Sequence, residues 1–301
     1  MKIQADKFAA ATFLVEIRLF QLFKHPPACY NHYIKQDHIQ IYGGIFMNGE
    51  MLQLARVTCY LNDAIKSGTL PPFKNSQYEK DVVYIFADKK SFSDTENETI
   101  TGTQVWAKVM LQRGIKRAVF FVATDDNPCD AGFANAGRRG LIAIFEDGQQ
   151  SLWVPRWEFD KARTMWDVYY TEKKLGNIGN PPSYPNNYED FKNVLERISV
   201  FAKEIGCKNW AGVFEAALDT LTGAQTFKIP EWITESFPNF DDQSVRMFLA
   251  SSRADVFGGM GSWNDDPAGY ASEKHRTDEY KQLSAELFKQ TRNAVLYVVN
   301  R

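Results

Sequence analysis

A segment rich in proline and glycine, residues 176–188, divides this chain of 301 residues into two parts with different patterns. It reads Gly-Asn-Ile-Gly-Asn-Pro-Pro-Ser-Tyr-Pro-Asn-Asn-Tyr. Its three prolines and two glycines disfavour both a helix and a central strand. We therefore predict an α/β domain over residues 1–175, a linker over 176–188 and a mostly helical domain over 189–301.

The part before the linker alternates strand and helix signals. Three apolar runs are typical of strands buried on both faces, at residues 82–86, 118–122 and 141–145. Residues 50–66 and 101–113 carry apolar side chains at helical spacing, and a closing helix is expected over 163–174. Strands that alternate with helices predict an α/β layer with a mainly parallel sheet.

The part after the linker has helical periodicity almost throughout. Apolar residues recur at helical spacing over 191–205, 210–221 and 242–254, and again around 280–288. Gly206 and Gly223 are expected to end the first two of these helices, and Asp241 or Asp242 to cap the start of the third. The apolar run over residues 294–299 suggests a terminal strand.

Composition narrows the classes of protein to which the chain can belong. Its hydrophobic content of 44% supplies a core, so disorder is not expected. A net charge of −2 lacks the overall basic charge of many nucleic-acid binders, although a local basic groove is compatible with it. The four cysteines form no CxxC pair, which is typical of reduced thiols.

The apolar stretch over residues 8–23 is too short and too charged for a transmembrane helix. It also lacks the features of a signal peptide. We expect a cytoplasmic protein without a membrane partner.

The most distinctive segment of the chain lies in its helical part. It contains eight residues, Gly258, Gly259, Met260, Gly261, Ser262, Trp263, Asn264 and Asp265. Closely spaced glycines allow positive φ angles and close backbone approach, so the segment is a candidate binding site for an anion or small ligand. The alternative, which we favour, is a tight turn between helices. Trp263 and Met260 would anchor this turn, and Asn264 and Asp265 would bond to its backbone amides.

This motif carries a resemblance to a known family. The chain from about residue 188 to 265 resembles an uncharacterised bacterial family of small helical domains, whose hallmark is Gly-Gly-Met-Gly-Ser-aromatic-Asn-Asp after two or three helices. The resemblance implies no known chemistry. By analogy, we expect such a module to act as an interaction protein, for example as an immunity protein that neutralises a toxin.

A second resemblance concerns the first part of the chain. Asp88-Lys89-Lys90 follows the strand at 82–86, and an acid-x-Lys triplet at a strand end suits Mg²⁺-dependent cleavage of phosphodiesters. Residues 80–150 resemble the restriction-endonuclease-like superfamily, which implies that Asp88 binds the metal and Lys90 acts on the phosphate. Glu50 is a candidate for a further acid beside the metal. The alternatives are a solvated turn and a catalytically inactive version of the fold.

A loop after the strand at 118–122 is another candidate site. Asp125 and Asp126 follow the strand directly, and Arg138 and Arg139 come shortly after. Ligands of open α/β sheets bind at the carboxyl ends of strands, so these side chains are candidates for a pocket. The alternative, which we favour, is a turn with capping aspartates.

Two functions follow from these patterns. No complete catalytic set of residues is evident, and this favours a binding protein with a protein partner, for example an immunity protein. The alternative is a Mg²⁺-dependent nuclease that acts on DNA or RNA through Asp88 and Lys90.

Overall fold

A computed structural model describes residues 48–87, 99–128, 134–180, 182–224, 229–258 and 261–301. Within these ranges the chain forms two compact units. The first unit draws its residues from 56–121 and 139–183, and the second from 48–55, 122–138 and 184–301. Two short stretches that precede the linker therefore belong to the same unit as the C-terminal helices.

The first unit contains two helices and a six-stranded sheet. Helix α1 is divided between the units, with residues 49–55 in the second and 56–67 in the first. The elements in chain order are α1 (Gly49–Ser67), β1 (Glu79–Ile85), β2 (Thr99–Thr101), α2 (Thr103–Gln112), β3 (Ile115–Val122), β4 (Arg139–Phe145), β5 (Gln150–Asp160) and β6 (Met165–Gly176).

The strand order is β2-β1-β6-β5-β4-β3. Strands β1 and β6 are parallel, whereas β1 and β2, β4 and β5, and β5 and β6 are antiparallel. The prediction of a mainly parallel sheet was therefore wrong, because the sheet is mixed. The physical reason is that β4, β5 and β6 follow each other through short turns, and turns of that length can join only antiparallel neighbours.

The longest strand occupies a stretch that we expected to be a helix. Residues 163–174 were predicted to be helical, but they lie almost entirely within β6. The reason is the alternation of Val168, Tyr170 and Glu172, which are buried on one face of the sheet. Each of them lies opposite a residue of β5 across a long antiparallel ladder, and this pairing stabilises the strand over any local helical preference.

The edge strand β3 is paired with a side chain of α1. The Asn62 side chain donates from Nδ2 to the Ala118 carbonyl oxygen at 2.9 Å and accepts from the Ala118 backbone N–H at 2.8 Å. One amide side chain thus satisfies both backbone groups of an edge residue.

Aromatic rings fill the core of the first unit. Tyr84 of β1 stacks on Trp106 of α2, with ring centroids 4.4 Å apart, and on Tyr170 of β6 at 5.1 Å. Trp153 of β5 meets Trp106 edge to face at 5.3 Å. All four side chains are buried, so α2 is held against the sheet largely by these contacts.

The second unit is helical, as the sequence predicts. Its helices are α3 (Tyr188–Glu204), α4 (Lys208–Thr222), α5 (Glu231–Ser236), α6 (Asp242–Ala254), α7 (Asp266–Glu273) and α8 (Thr277–Asn300). Gly206 and Gly223 follow α3 and α4 with φ of 93° and 71°, so both glycine caps are confirmed. Asp241 caps α6, because its side chain accepts from the Ser244 N–H at 2.8 Å.

The predicted terminal strand at residues 294–299 was wrong, because these residues continue α8. Their apolar side chains, among them Val295, Leu296 and Val299, are buried in the unit. A buried helix can be apolar on more than one side, and a short apolar run then looks like a strand.

None of the described helices has the length and apolar character needed to cross a membrane.

Candidate functional site

The glycine-rich segment forms a turn between α6 and α7, which we call the glycine turn and describe over residues 255–258 and 261–265. Gly261 adopts a φ of 80°, and its N–H donates to Asp265 Oδ2 at 2.8 Å. The Asp265 N–H donates to the Ser262 carbonyl oxygen at 3.2 Å. Gly259 and Met260 lie outside the described residues. These bonds close the turn on itself, although the Asp265 side chain remains exposed to solvent.

Trp263 anchors the glycine turn in the helical core. Its side chain is fully buried, and Nε1 donates to Ser284 Oγ of α8 at 2.8 Å. The Tyr280 hydroxyl donates to the Trp263 carbonyl oxygen at 2.7 Å. The rings of Phe214 and Tyr280 lie 5.0 and 5.5 Å from the Trp263 ring. Trp263 therefore has a structural role as the centre of an aromatic cluster.

The predicted loop after β3, which we call the aspartate loop and describe over residues 123–128 and 134–138, holds an ion-pair network. Arg138 Nε bonds to Asp126 at 2.6 Å, and Arg138 Nη2 bonds to Asp125 at 2.6 Å. Burial opposes the charge of Arg138, but the hydrogen bonds and charges of Asp126 and Asp125 outweigh it and raise the pKa of the guanidinium. Asp125 is 76% exposed, whereas Asp126 is mostly buried.

The two loops meet in the second unit. Asn264 Nδ2 donates to the Gly258 carbonyl oxygen at 3.1 Å and to the Pro128 carbonyl oxygen at 3.4 Å. Two candidates that are far apart in sequence are thereby brought together by one side chain. The exposed acids of this surface are Asp125 and Asp265, with Asp266 at the start of α7.

The other predicted binding residue, Arg139, lies at the start of β4 in the first unit. It is only 3% exposed, so it belongs to the interior of that unit rather than to the surface formed by the two loops.

Glu50 lies near the start of α1, in the second unit, and is buried. Its carboxylate accepts from the Asn135 N–H at 2.8 Å, while the Asn48 side chain accepts from the Glu50 N–H at 2.9 Å. The first bond joins α1 to residue 135, and the second is local to the start of α1. A metal role for Glu50 stays a prediction. No group of three or more His, Cys, Asp or Glu side chains with metal-binding geometry occurs among the described residues.

Asp88 and Lys90 lie outside the described residues, but the structure describes the strand that leads to them. The Ala87 N–H, one residue before Asp88, donates to Glu172 Oε2 at 3.2 Å. Glu172 Oε1 in turn accepts from Arg113 Nη2 at 2.8 Å. The Glu172 side chain is 1% exposed, so a buried carboxylate and its arginine partner lie at the carboxyl end of β1.

Sequence reasoning missed both of these residues. Glu172 was placed on a predicted helix, where an acid among polar neighbours carries no signal. As part of a strand, it shares a face with Val168 and Tyr170, and an acid on an apolar strand face would have marked a buried charge. Arg113 gave no signal, because a basic residue at a helix C-terminus is common.

A surface groove of the second unit is lined by charged residues that already pair with each other. Arg276 bonds to Glu279 and Glu204, and these bonds raise the pKa of its guanidinium. Because these three side chains already bond to one another, we do not assign the groove a ligand.

Comparison of the chain with protein-family models, with curated proteins and with solved structures gave no significant match.

Proposed function

We propose that the chain is a binding protein of a reducing compartment such as the cytoplasm, and that it contacts a protein partner through the surface formed by the aspartate loop and the glycine turn. The observation that carries this proposal is the bond from Asn264 to Pro128, which unites two loops on one helical framework. Loops fixed by a rigid framework are frequent binding elements. The buried free thiols of Cys59 and Cys207 support a reducing compartment.

The chemistry of this surface favours a basic partner. Asp125, Asp265 and Asp266 are exposed, and the charge of Arg138 is already matched by two carboxylates. Complementary charge accelerates association and selects between partners. An immunity protein that neutralises a basic toxin would be one binding protein of this kind, and the analogy drawn for the glycine turn points to immunity proteins.

The test is co-purification from native lysate with measured stoichiometry. We expect one partner to elute in a fixed ratio with the wild-type chain and to be lost with the double variant Asp125→Lys, Asp266→Lys. The matched control is the double variant Glu231→Lys, Glu235→Lys, which makes the same charge change at two other exposed positions of the second unit. Recovery of no stoichiometric partner, or equal loss with the control, would contradict the proposal.

A Mg²⁺-dependent nuclease is the second candidate, and one observation favours it. A metal-dependent nuclease needs a second acid near Asp88, and the buried carboxylate of Glu172 is bonded to the residue that precedes Asp88. Each oxygen of Glu172 already accepts one hydrogen bond, so a metal would have to share this carboxylate with Arg113 and Ala87 or displace one of them.

The nuclease proposal is tested with purified protein, DNA and RNA in the presence of Mg²⁺ or Mn²⁺. We expect metal-dependent cleavage that Asp88→Asn, Lys90→Ala and Glu172→Gln each abolish. The control is Glu158→Gln, an exposed acid of β5. Absence of cleavage, or cleavage that Asp88→Asn leaves unchanged, would exclude this function.

A further inference from the structure

Arg113 lies between two phenylalanines at the carboxyl ends of strands that run in the same direction. Strand β1 is parallel to β6, and β4 has the same direction because it is separated from β6 by one antiparallel neighbour, β5. Phe86 follows the end of β1, and Phe145 ends β4. The Arg113 guanidinium carbon lies 5.3 Å from the Phe86 ring centre and 4.9 Å from that of Phe145. The guanidinium therefore occupies the edge of the sheet at which α/β folds commonly bind ligands.

The Arg113 side chain is fixed in position, but only some of its N–H groups have hydrogen-bond partners. Its Nη2 bonds to the buried carboxylate of Glu172, and its Nη1 approaches the sulfur of Met110 at 3.9 Å. Among the described residues, no oxygen accepts from its Nε–H. The neighbouring acid Glu146 is exposed and forms no ion pair with Arg113. The side chain is 30% exposed, so solvent reaches it.

This arrangement lowers the entropic cost of binding an anion. An arginine in water must lose side-chain freedom before it can bind two oxygens of a ligand. Here Glu172 and two aromatic rings already fix the side chain, and a planar guanidinium offers paired donors to carboxylate and phosphate groups. Glu172 also accepts a hydrogen bond from the Ala87 N–H, so Arg113 is not its only partner.

We propose that Arg113 forms an anion-binding site, which accepts the two oxygens of a phosphate or carboxylate group on a ligand. Glu172, Phe86 and Phe145 are positioning residues that hold the guanidinium for this contact. The site lies in the first unit and does not depend on the protein contact proposed for the second unit.

The full-length protein offers a matched control for a direct test. Arg156 also pairs with one glutamate, Glu158, and its guanidinium carbon lies 5.0 Å from the ring centre of Tyr169. However, Glu158 is 48% exposed, whereas Glu172 is buried, so Arg156 lacks the fixed partner. The probes are inorganic phosphate and acetate at constant ionic strength, followed through the arginine Nε–H signals in NMR spectra.

We expect at least one of the two anions to shift the Arg113 signal saturably and to leave the Arg156 signal nearly unchanged. Saturation by phosphate alone would indicate a phosphorylated ligand, and saturation by acetate alone a carboxylate ligand. In Arg113→Lys, which keeps the charge beside Glu172, affinity measured by calorimetry should fall about tenfold or more.

The wild-type titration is decisive even if Arg113→Lys does not fold. No saturable shift of Arg113 with either anion would overturn the proposal. Equal, unsaturated shifts of Arg113 and Arg156 would do the same, because they would indicate general ion screening. Unchanged affinity in a folded Arg113→Lys variant would also count against it.

Discussion

Some buried polar side chains in each unit have specific partners, and these partners fix the positions of large residues. The Tyr84 hydroxyl lies 2.9 Å from Thr103 Oγ1, and Trp263 Nε1 lies 2.8 Å from Ser284 Oγ. A buried donor that loses its partner costs more free energy than a typical hydrogen bond contributes. Single substitutions at such residues should therefore have measurable effects on stability.

Trp263 provides the first test at this scale. Trp263→Ala should lower the free energy of unfolding by about 3–5 kcal/mol, because it removes the centre of an aromatic cluster. Trp263→Phe keeps an aromatic ring but loses the bond to Ser284, and a loss of roughly 1–2 kcal/mol is expected. Urea denaturation measures both. The control is Trp232→Phe, since Trp232 Nε1 has no hydrogen-bond partner among the described residues. If Trp232→Phe lowered the free energy of unfolding as much as Trp263→Phe, the bond to Ser284 would not be the cause.

The buried carboxyl group of Glu79 should make the free energy of unfolding depend on pH. Burial raises the pKa of its carboxyl, and Arg56 and the hydrogen bonds from Ser76 only partly offset the effect. The folded state therefore favours the protonated form of Glu79, and protonation stabilises the fold. This stabilisation is fully present below the ordinary pKa of 4.5 and is lost as the pH rises through the raised pKa of the folded state.

Glu79→Gln should therefore stabilise the protein near neutral pH, and the gain should shrink as pH falls towards 4. Urea midpoints at several pH values measure this difference. The exposed residue Glu235 provides the control variant Glu235→Gln, which should show no such trend. A gain that is independent of pH would show that burial of the charge is not the cause.

Secondary-structure elements differ in how well local sequence predicts them. Helices α3, α4 and α6 were predicted closely, because an apolar face and a cap are encoded within each element. Strand β6 was not, because it depends on pairing with β5 and β1. The candidate site follows the same division: the glycine turn was recognisable from its own residues, whereas the bond from Asn264 to Pro128 joins residues 136 positions apart.

The turn between β5 and β6 contains a strained residue. Thr164 adopts a φ of 54°, which is unfavourable for a β-branched side chain, and asparagine tolerates this conformation better. Thr164→Asn should raise the free energy of unfolding by about 0.5–1 kcal/mol. The control, Ala162→Asn in the same turn, lacks a positive φ and should give no gain. Thermal unfolding compares them, and equal effects would rule out relief of backbone strain.

The second unit is assembled from stretches that are distant along the chain. The Asn48 N–H donates to Asp255 Oδ2 at 3.4 Å across 207 positions, and Asp255 Oδ1 accepts from Arg292 Nη2 at 3.0 Å. Asp255 therefore joins the start of α1 to α8. No local pattern could predict this arrangement, since each of the three residues is unremarkable in its own segment.

The pair of Asp255 and Arg292 is buried, with side-chain exposures of 4% and 3%. Asp255→Leu alone should destabilise the protein by about 3–5 kcal/mol, because it leaves Arg292 buried without its carboxylate. The double variant Asp255→Leu, Arg292→Met should recover most of that loss. Guanidinium denaturation of the set measures the coupling. Additive losses would mean that the two charges do not depend on each other.

The divided second unit also has a consequence for the order in which the protein folds during its synthesis. Residues 48–55 are synthesised long before Arg292, which completes the ion pair at Asp255. At roughly 5–20 residues per second, the early segment waits for roughly ten seconds or longer before its partners exist. The first unit contains no residue of helices α3 to α8, so its sheet can form during that interval, while the helical unit can close only once Arg292 has been synthesised.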